Sequence, residues 1–249
     1  MIPFHEAKSI VEKHIFKMES ESVSLFDVGN RILVQDIMAT FPSPQFDNSA
    51  MDGFAVRAED TKNTSPENPI TLKMVGISSA GTPSGITLNP GECVQCMTGA
   101  KIPQGADAVI MVEDSSGFSD AKFVQIMLEA SPGKHIRKKG EEMQEGEILI
   151  EKGTRISASE IGTLATFGYG KIEVARKPKI AIFGTGDELI EPGNKLKEGQ
   201  IYNSNLYVFS ELVKRVGGEV FMRNVIKDDK DSLRKFLSEA LETCDVIIS

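Results

Sequence analysis

The sequence predicts a multidomain protein of the α/β and β classes. A mixed α/β N-terminal domain is interrupted by an inserted β-rich domain and followed by a doubly wound parallel α/β domain, truncated at its C-terminus. Three observations predict it. Apolar residues near the start recur at helical spacing. From about Ala55 to Ser131, short apolar runs alternate with clusters of Gly, Pro and Ser. Beyond Pro178, strand-like and helix-like patterns alternate in the order βαβαβ.

Each element has a local reason. In "PFHEAKSIVEKHIFKM", apolar residues at Ala7, Ile10, Val11, Ile15 and Met18 predict a helix with one buried face. "NRILVQDIMA" leads into "FPSPQF", which is extended because each proline biases its predecessor away from helix. "ITLKMVGI", "ECVQCMTG", "ADAVIMVE" and "FVQIMLEA", separated by "NPG", "IPQG", "SSGFSD" and "SPGK", read as strands of hairpins or a small barrel. Gly153 and Gly168 bracket a short helix, and "KIEVA" is a strand. "KIAIF" is a buried strand. In "NSNLYVFSELVKRVGG", Leu206, Phe209, Val213 and Val216 mark the apolar face, with Asn203 or Ser204 as N-cap and Gly217 just past the end. "EVFMRNVI" is a strand, "DDKDSLRKFLSEALETC" a helix with Leu233, Phe236, Leu237, Ala240 and Leu241 inward, and "DVIIS" a strand. The expected limits are 1–54 plus 132–177 for the mixed domain, 55–131 for the insertion and 178–249 for the α/β domain. Ligands of such sheets bind beyond the carboxyl ends of the strands. The last residues reach that level with an apolar edge unpaired, so the sequence is expected to be part of a longer protein.

Composition narrows the function. A net charge of −8 argues against nucleic acid as a partner, since phosphate binding on that scale needs a basic face. No apolar run approaches the ~20 residues that span a bilayer, and the N-terminus lacks a secretory signal, so a cytoplasmic protein is expected. Three cysteines make no disulfide framework. "CVQC" places Cys93 and Cys96 three apart in a strand, on opposite faces, where they cannot share a metal. His5 and His14 fall on opposite sides of the first helix. Any metal is therefore expected on carboxylates and phosphates, which favours Mg²⁺. "GKHIRKKG" offers a local basic cluster whose lysines read as a solvated loop.

Four stretches carry candidate chemistry. "PQFDNSAMDGFAV" packs Asp47, Asn48, Ser49 and Asp52 before a strand. "MTGAKIPQGADAVIMVE" has a small-residue turn at Thr98–Ala100, then Asp107 and Glu113. "IRKKGEE" sets Arg137 beside Glu141 and Glu142. In "IFGTGDEL", a strand ends in Gly184, Thr185 and Gly186, followed by Asp187 and Glu188. Glycines at a strand's carboxyl end let backbone approach a phosphate closely, and carboxylates just after them can hold a hard cation. A dinucleotide fingerprint is absent, because no third glycine and no immediate helix follow.

In order along the chain, "FDNSAMDGFAV", "MTGAKIPQGADAVIMVE", "IRKKGEE", "FGTGDELI" and "GQIYNSN" resemble the segments that mark molybdopterin molybdenumtransferases, the MoeA family that includes the E domain of gephyrin. The resemblance implies a homodimer of elongated subunits with a molybdopterin-binding α/β domain and a C-terminal β domain. It also implies a reaction in which adenylylated molybdopterin and molybdate are the substrates, the adenylate is cleaved with Mg²⁺ assistance, and AMP is released. Other proteins of molybdenum cofactor biosynthesis become candidate partners. By motif, Asp52, Thr98, Glu142 and Glu188 are the implied catalytic residues. Because hydrolysing a phosphoanhydride needs charge neutralisation and positioning, Asp187 and Glu188 are expected to hold the metal and Arg137 an anionic oxygen, with Ser49, Gly184, Thr185, Gly186, Asn203 and Ser204 as further expected substrate-binding residues. The site is implied to lie between the α/β domain of one subunit and the first two domains of the other. Glu142 stands where the family commonly has Asp, and Met143 replaces an aliphatic residue. The family's glycine-serine and "PGKP"-type loops, which follow the third strand, are absent, so these 249 residues alone are not expected to insert molybdenum. A scaffold on the same fold is the alternative reading; the cleft carboxylates favour the enzyme.

Overall fold

The computed structural model describes residues 2–82, 85–119 and 121–249. The chain divides into two compact units. One is Met1–Ile37 with Leu149–Ser249, and the other is Met38–Ile148. The insertion expected over 55–131 lies inside the second.

In the second unit, five strands run in the order Ala108–Met111, Gly53–Val56, Glu92–Cys96, Ile70–Ser78, Phe123–Ile126. The strand Gly53–Val56 is antiparallel to both neighbours, whereas Ile70–Ser78 and Glu92–Cys96 are parallel. Alternation sends Phe54 and Val56 into a core with Leu72, Cys93, Ile110, Val124 and Ile126. Ala55 goes to the opposite face with Cys96, Ala100 and Val109. Cys93 and Cys96 therefore sit on opposite faces. Burial pushes their thiols up to about 12 and about 11, which leaves both protonated and unreactive at neutral pH.

The first unit has two parts. Strands Ser20–Ser24 and Lys171–Ala175 pair antiparallel, and Val28, Leu33, Ile156, Leu164, Ile172 and Val174 fill the core beside them. Its helix Ala158–Thr166 starts at a capping box: the Ser157 hydroxyl accepts from Ser159 N–H, and Glu160 accepts from Ser157 N–H. Gly162 sits exposed inside this helix with room for a methyl group. Gly162→Ala is expected to stabilise the protein by about 0.5–1 kcal/mol, because Ala loses less backbone entropy on entering a helix. A rise in the urea midpoint at unchanged slope is the expected reading, and a fall would refute it.

The second part is a parallel sheet in the order Glu219–Ile226, Lys179–Thr185, Val246–Ile248. Helices Asn205–Arg215 and Lys230–Thr243 cross between its strands. Ala181, Phe183, Ile226, Phe236 and Ala240 pack on one face, and Ile180, Ile182, Leu206 and Val213 on the other. The helix Lys230–Thr243 is capped by Asp229, whose Oδ1 accepts from Asp231 and Ser232 N–H.

Several burial expectations change. Helix Phe4–Lys13 forms, but none of its residues is buried; Phe4 is 84% and Val11 69% exposed. Periodicity reports that a helix has an apolar face, not what covers it. Leu241 lies on the flank of the Leu233–Leu237–Ala240 stripe and is exposed, as are Phe209 and Val216. Three strands offer each helix only a narrow strip to pack against.

Candidate active site

In the second unit, one segment gathers three of the four chemistry-bearing stretches. Residues 43–50 are held by backbone hydrogen bonds to two other segments. Toward the small-residue turn, Ser49 N–H donates to Ala100 at 3.0 Å, Gly99 N–H to Ser49 at 2.8 Å and Ile102 N–H to Asp47 at 3.0 Å. Toward the basic stretch, Asn48–Ser49 pairs antiparallel with Ile136–Arg137. Further along that side, Ala50 N–H donates to His135 at 2.9 Å, Gly140 N–H to Pro44 at 2.9 Å and Glu142 N–H to Ser43 at 3.0 Å. Long-range pairing thus lays the segments that carry Asp52, Thr98, Arg137 and Glu142 beside one another.

The side chains complete this set. Asp52 Oδ1 accepts from both Thr98 N–H and Thr98 Oγ1–H, each at 2.7 Å. The two donors hold the Asp52 carboxyl below the usual aspartate range, so it is a committed anion at neutral pH. Because the Thr98 hydroxyl proton goes to Asp52, the threonine orients the carboxylate. Glu142 Oε2 accepts from the Ser43 hydroxyl at 2.9 Å, a partner 99 residues away that no local pattern announces. Lys138, expected to be solvated, pairs with Asp47 at 2.8 Å, and Lys139 N–H adds a bond at 2.9 Å. The Lys138 bond first, and that amide second, keep the Asp47 carboxyl below its ordinary range. Ser49, expected to bind substrate, is fully buried with its hydroxyl donating to the Met51 carbonyl at 2.5 Å. Its place is in the turn that presents Asp52.

The fourth stretch lies in the first unit, at the carboxyl end of the central strand. That strand runs to Thr185, two residues beyond Phe183. Gly186 follows at φ +148°, where a Cβ would stand 2.5 Å from Glu188 Oε2; glycine lets the Glu188 carboxylate fold back over the turn. Asp187 and Glu188 are exposed. Leu189–Ile190 pairs with Ile201–Tyr202, and Asn203 N–H donates to Ile190 at 2.9 Å, which ties "GTGDEL" to "GQIYNSN". Asn203 is buried, and its Oδ1 accepts from Leu206 N–H at 3.2 Å, capping the helix. Its Nδ2 has no partner among the described residues and would stand 3.6 Å from a Cβ at Gly184. Ser204 occupies the N-cap position, and its side chain makes no cap bond.

Among the described residues, no three His, Cys, Asp or Glu side chains gather as a metal cluster. No described helix is long and apolar enough to cross a membrane.

A parallel sheet with a glycine turn and two carboxylates at its carboxyl end, in one chain with a β-rich unit that presents a second carboxylate set, defines a multidomain protein of the α/β and β classes. The comparisons make the class specific. A family model described as "MoeA N-terminal region (domain I and II)" matches residues 2–168, and one described as "Probable molybdopterin binding domain" matches residues 181–249. The chain belongs to the MoeA family. It is 36% identical over 241 residues to a molybdopterin molybdenumtransferase of Nostoc sp., covering 97% of this chain and 55% of that protein. A molybdopterin molybdenumtransferase of Staphylococcus aureus is 37% identical over 248 residues, with 100% of this chain and 59% of that protein covered. The molybdopterin biosynthesis MoeA protein of Pyrococcus horikoshii superposes with a TM-score of 0.89 at 33% identity, over 99% of this chain and 65% of that one. The chain thus spans somewhat over half the length of the curated relatives it matches.

Proposed function

We propose that this chain supplies the first part of a molybdopterin molybdenumtransferase, acting in molybdenum cofactor biosynthesis in the cytoplasm. Its substrates are adenylylated molybdopterin and molybdate, and its reaction cleaves the adenylate and releases AMP. The observation that carries the reading is the long-range backbone pairing that holds residues 43–50 against the stretches of Thr98 and of Arg137 and Glu142, together with the Thr98 clamp on Asp52. Relatives named molybdopterin molybdenumtransferase support the substrate class.

Roles follow from chemistry. Cleaving a phosphoanhydride needs positioning and neutralisation of developing charge on oxygen. Asp187 and Glu188 are two exposed carboxylates beside a turn that only glycine adopts easily, with no third acid clustered on them among the described residues. That donor set fits Mg²⁺, which takes one or two carboxylates and completes its shell with phosphate oxygens and water. When bound there, the ion supplies charge neutralisation at the pyrophosphate. Gly184, Thr185 and Gly186 allow main chain to approach the substrate, and Asn203 and Ser204 line the adjoining turn. Arg137 takes an anionic oxygen. Asp52, fixed by Thr98, aligns water or metal, and Glu142 adds a second carboxylate. Exposed Ile10, Val11, Ile15 and Phe16, which line one apolar groove, support a homodimer, since apolar surface in such a cluster is more often an interface than a free face.

In a full-length protein carrying these residues, Glu188→Gln and Asp52→Asn are each expected to cut AMP release from adenylylated molybdopterin at least tenfold, with the fold retained by circular dichroism. The 249 residues alone are expected to release none. Undiminished AMP release in both variants would overturn the assignment.

A further inference from the structure

The Glu188 carboxylate is exposed, folds back over Gly186, and takes no hydrogen bond or ion pair from the described residues. Its place is therefore set by its main chain. Upstream, the strand Lys179–Thr185 is anchored in the parallel sheet. Downstream, Glu188 opens a loop. Leu189–Ile190 pairs with Ile201–Tyr202, and Ile201 N–H donates to the Glu188 carbonyl at 2.9 Å. Between those two short strands, residues 191–199 are all exposed, so no apolar burial holds them.

Most hydrogen bonds of this loop are internal. Asn194 N–H donates to Glu191 at 3.3 Å and Gln200 N–H to Lys197 at 3.1 Å, and the Tyr202 hydroxyl donates to the Asn194 carbonyl at 2.8 Å. These bonds shape the loop but leave it free to move as a body on its ladder. A different bond leaves the loop for the helix Asn205–Arg215: the Tyr207 hydroxyl donates to Glu191 Oε2 at 2.6 Å, within the short range of a hydroxyl on a carboxylate. That bond, first of its causes, pushes the Tyr207 phenol above its ordinary value near 10, so Tyr207 stays a donor across the neutral range. The helix is a fixed anchor. Asn203 caps its start, Ser210 is buried, and Leu206 and Val213 pack on Ile180 and Ile182 of the sheet. Glu191, the residue tied to it, stands three positions after Glu188.

We propose that Tyr207 is a positioning residue: by tying Glu191 to the helix it fixes the loop 189–202 and, through Leu189–Ile190, the direction of the Glu188 carboxylate. A segment with exposed hydrogen bonds and few buried contacts opens readily by itself. A charge-assisted bond to a packed helix closes it from the far side. The tie stands on geometry alone, while its consequence for Mg²⁺ rests on the proposed function.

Two measurements test it. In this 249-residue chain, Tyr207→Phe removes one hydroxyl. Hydrogen exchange at the Ile201 and Asn203 amides, which donate to Glu188 and Ile190, is expected to speed about fivefold. Unchanged exchange in the helix Lys230–Thr243 shows that the fold is kept. Glu191→Ala is expected to give the same acceleration and the double variant no more, because both changes break one bond. In a full-length protein carrying these residues, Tyr207→Phe is expected to raise the Mg²⁺ concentration for half-maximal AMP release about threefold, with the rate at saturating Mg²⁺ unchanged to within about twofold. Excess cation repairs lost positioning, whereas it would not repair a general loss of stability. Unchanged exchange at Ile201 and Asn203 in Tyr207→Phe overturns the tie, whatever the enzyme does. Faster exchange with an unchanged Mg²⁺ dependence overturns the positioning role. Undiminished AMP release in Glu188→Gln overturns the metal assignment, and the positioning role with it, while the exchange result stands by itself; the two failures are thereby distinguished.

Discussion

Gly53→Ala is expected to lower the unfolding free energy by about 3 kcal/mol. Gly53 opens the strand Gly53–Val56, which lies between Glu92–Cys96 and Ala108–Met111 and pairs with Cys96 on one side and Met111 on the other. A Cβ at this position would overlap the Ile110 carbonyl oxygen. That obstacle is main chain in a ladder, so no side chain can swing aside. Nor can the strand back away, because Phe54, Ala55 and Val56 are all fully buried. Overpacking a well-filled core typically costs about 1–3 kcal/mol, and a clash with backbone belongs at the upper end. Relief requires the ladder to open or the strand to rotate, and either movement shifts the neighbouring Asp52 away from Thr98. Urea denaturation followed by circular dichroism measures the effect. A change within ~0.5 kcal/mol, the range of inert surface substitutions, would sink the argument.

Asp245→Asn should cost about 2 kcal/mol at neutral pH. Arg176 grips the Asp245 carboxylate with both terminal nitrogens, at 2.9 and 2.8 Å. Lys179 N–H donates to the same carboxylate at 2.7 Å. This clamp joins the end of the strand Lys171–Ala175 to the parallel sheet. Exposed ion pairs contribute ~0.2–1 kcal/mol and hydrogen bonds to charged groups ~1.5–3 kcal/mol. A bidentate pair with side chains 30% and 20% exposed falls between these ranges, toward the upper one. The pH dependence has a definite sign. Arg176 first, and the Lys179 amide with it, hold the Asp245 carboxyl below its ordinary value near 3.8. On acidification the unfolded chain therefore takes up this proton first. The contribution is full above the unfolded value and is lost as pH falls through the folded one. The stability difference between the original protein and Asp245→Asn is thus expected to be flat from pH 7 to about 5 and to shrink below about 4. Asp47, Asp52 and Asp229 shift the same way, so the difference between the two proteins, rather than either midpoint alone, isolates Asp245. A difference that widened toward pH 3 would contradict the clamp.

Much of the α/β part was legible because its signals are local. Asn203, read as a candidate N-cap, accepts from an amide three residues on, and Gly184 and Gly186 mark the end of a strand from within the same motif. The acidic and glycine-rich stretches were also visible one by one. Partnership across sequence was not. Nothing near Asp52 indicates that its carboxylate is held from Thr98, and the Ser43–Glu142 and Asp47–Lys138 contacts span 99 and 91 residues. Lys138 read as solvated because a charge run has no local feature that distinguishes a paired lysine from a free one. Helix Phe4–Lys13 was read as half-buried for a related reason: its periodicity describes the helix, while its exposure depends on what is packed beside it.

By itself the sequence determined the element types, the parallel βαβαβ order and the residue types available for chemistry, since backbone preference and hydrophobic period act over a few residues. Only the tertiary structure decided which strands lie beside residues 43–53, and so which side chains share a face. Pairing register is a long-range property, and a slip of one residue would turn Asn48, Arg137 and Lys101 to the opposite side of the sheet.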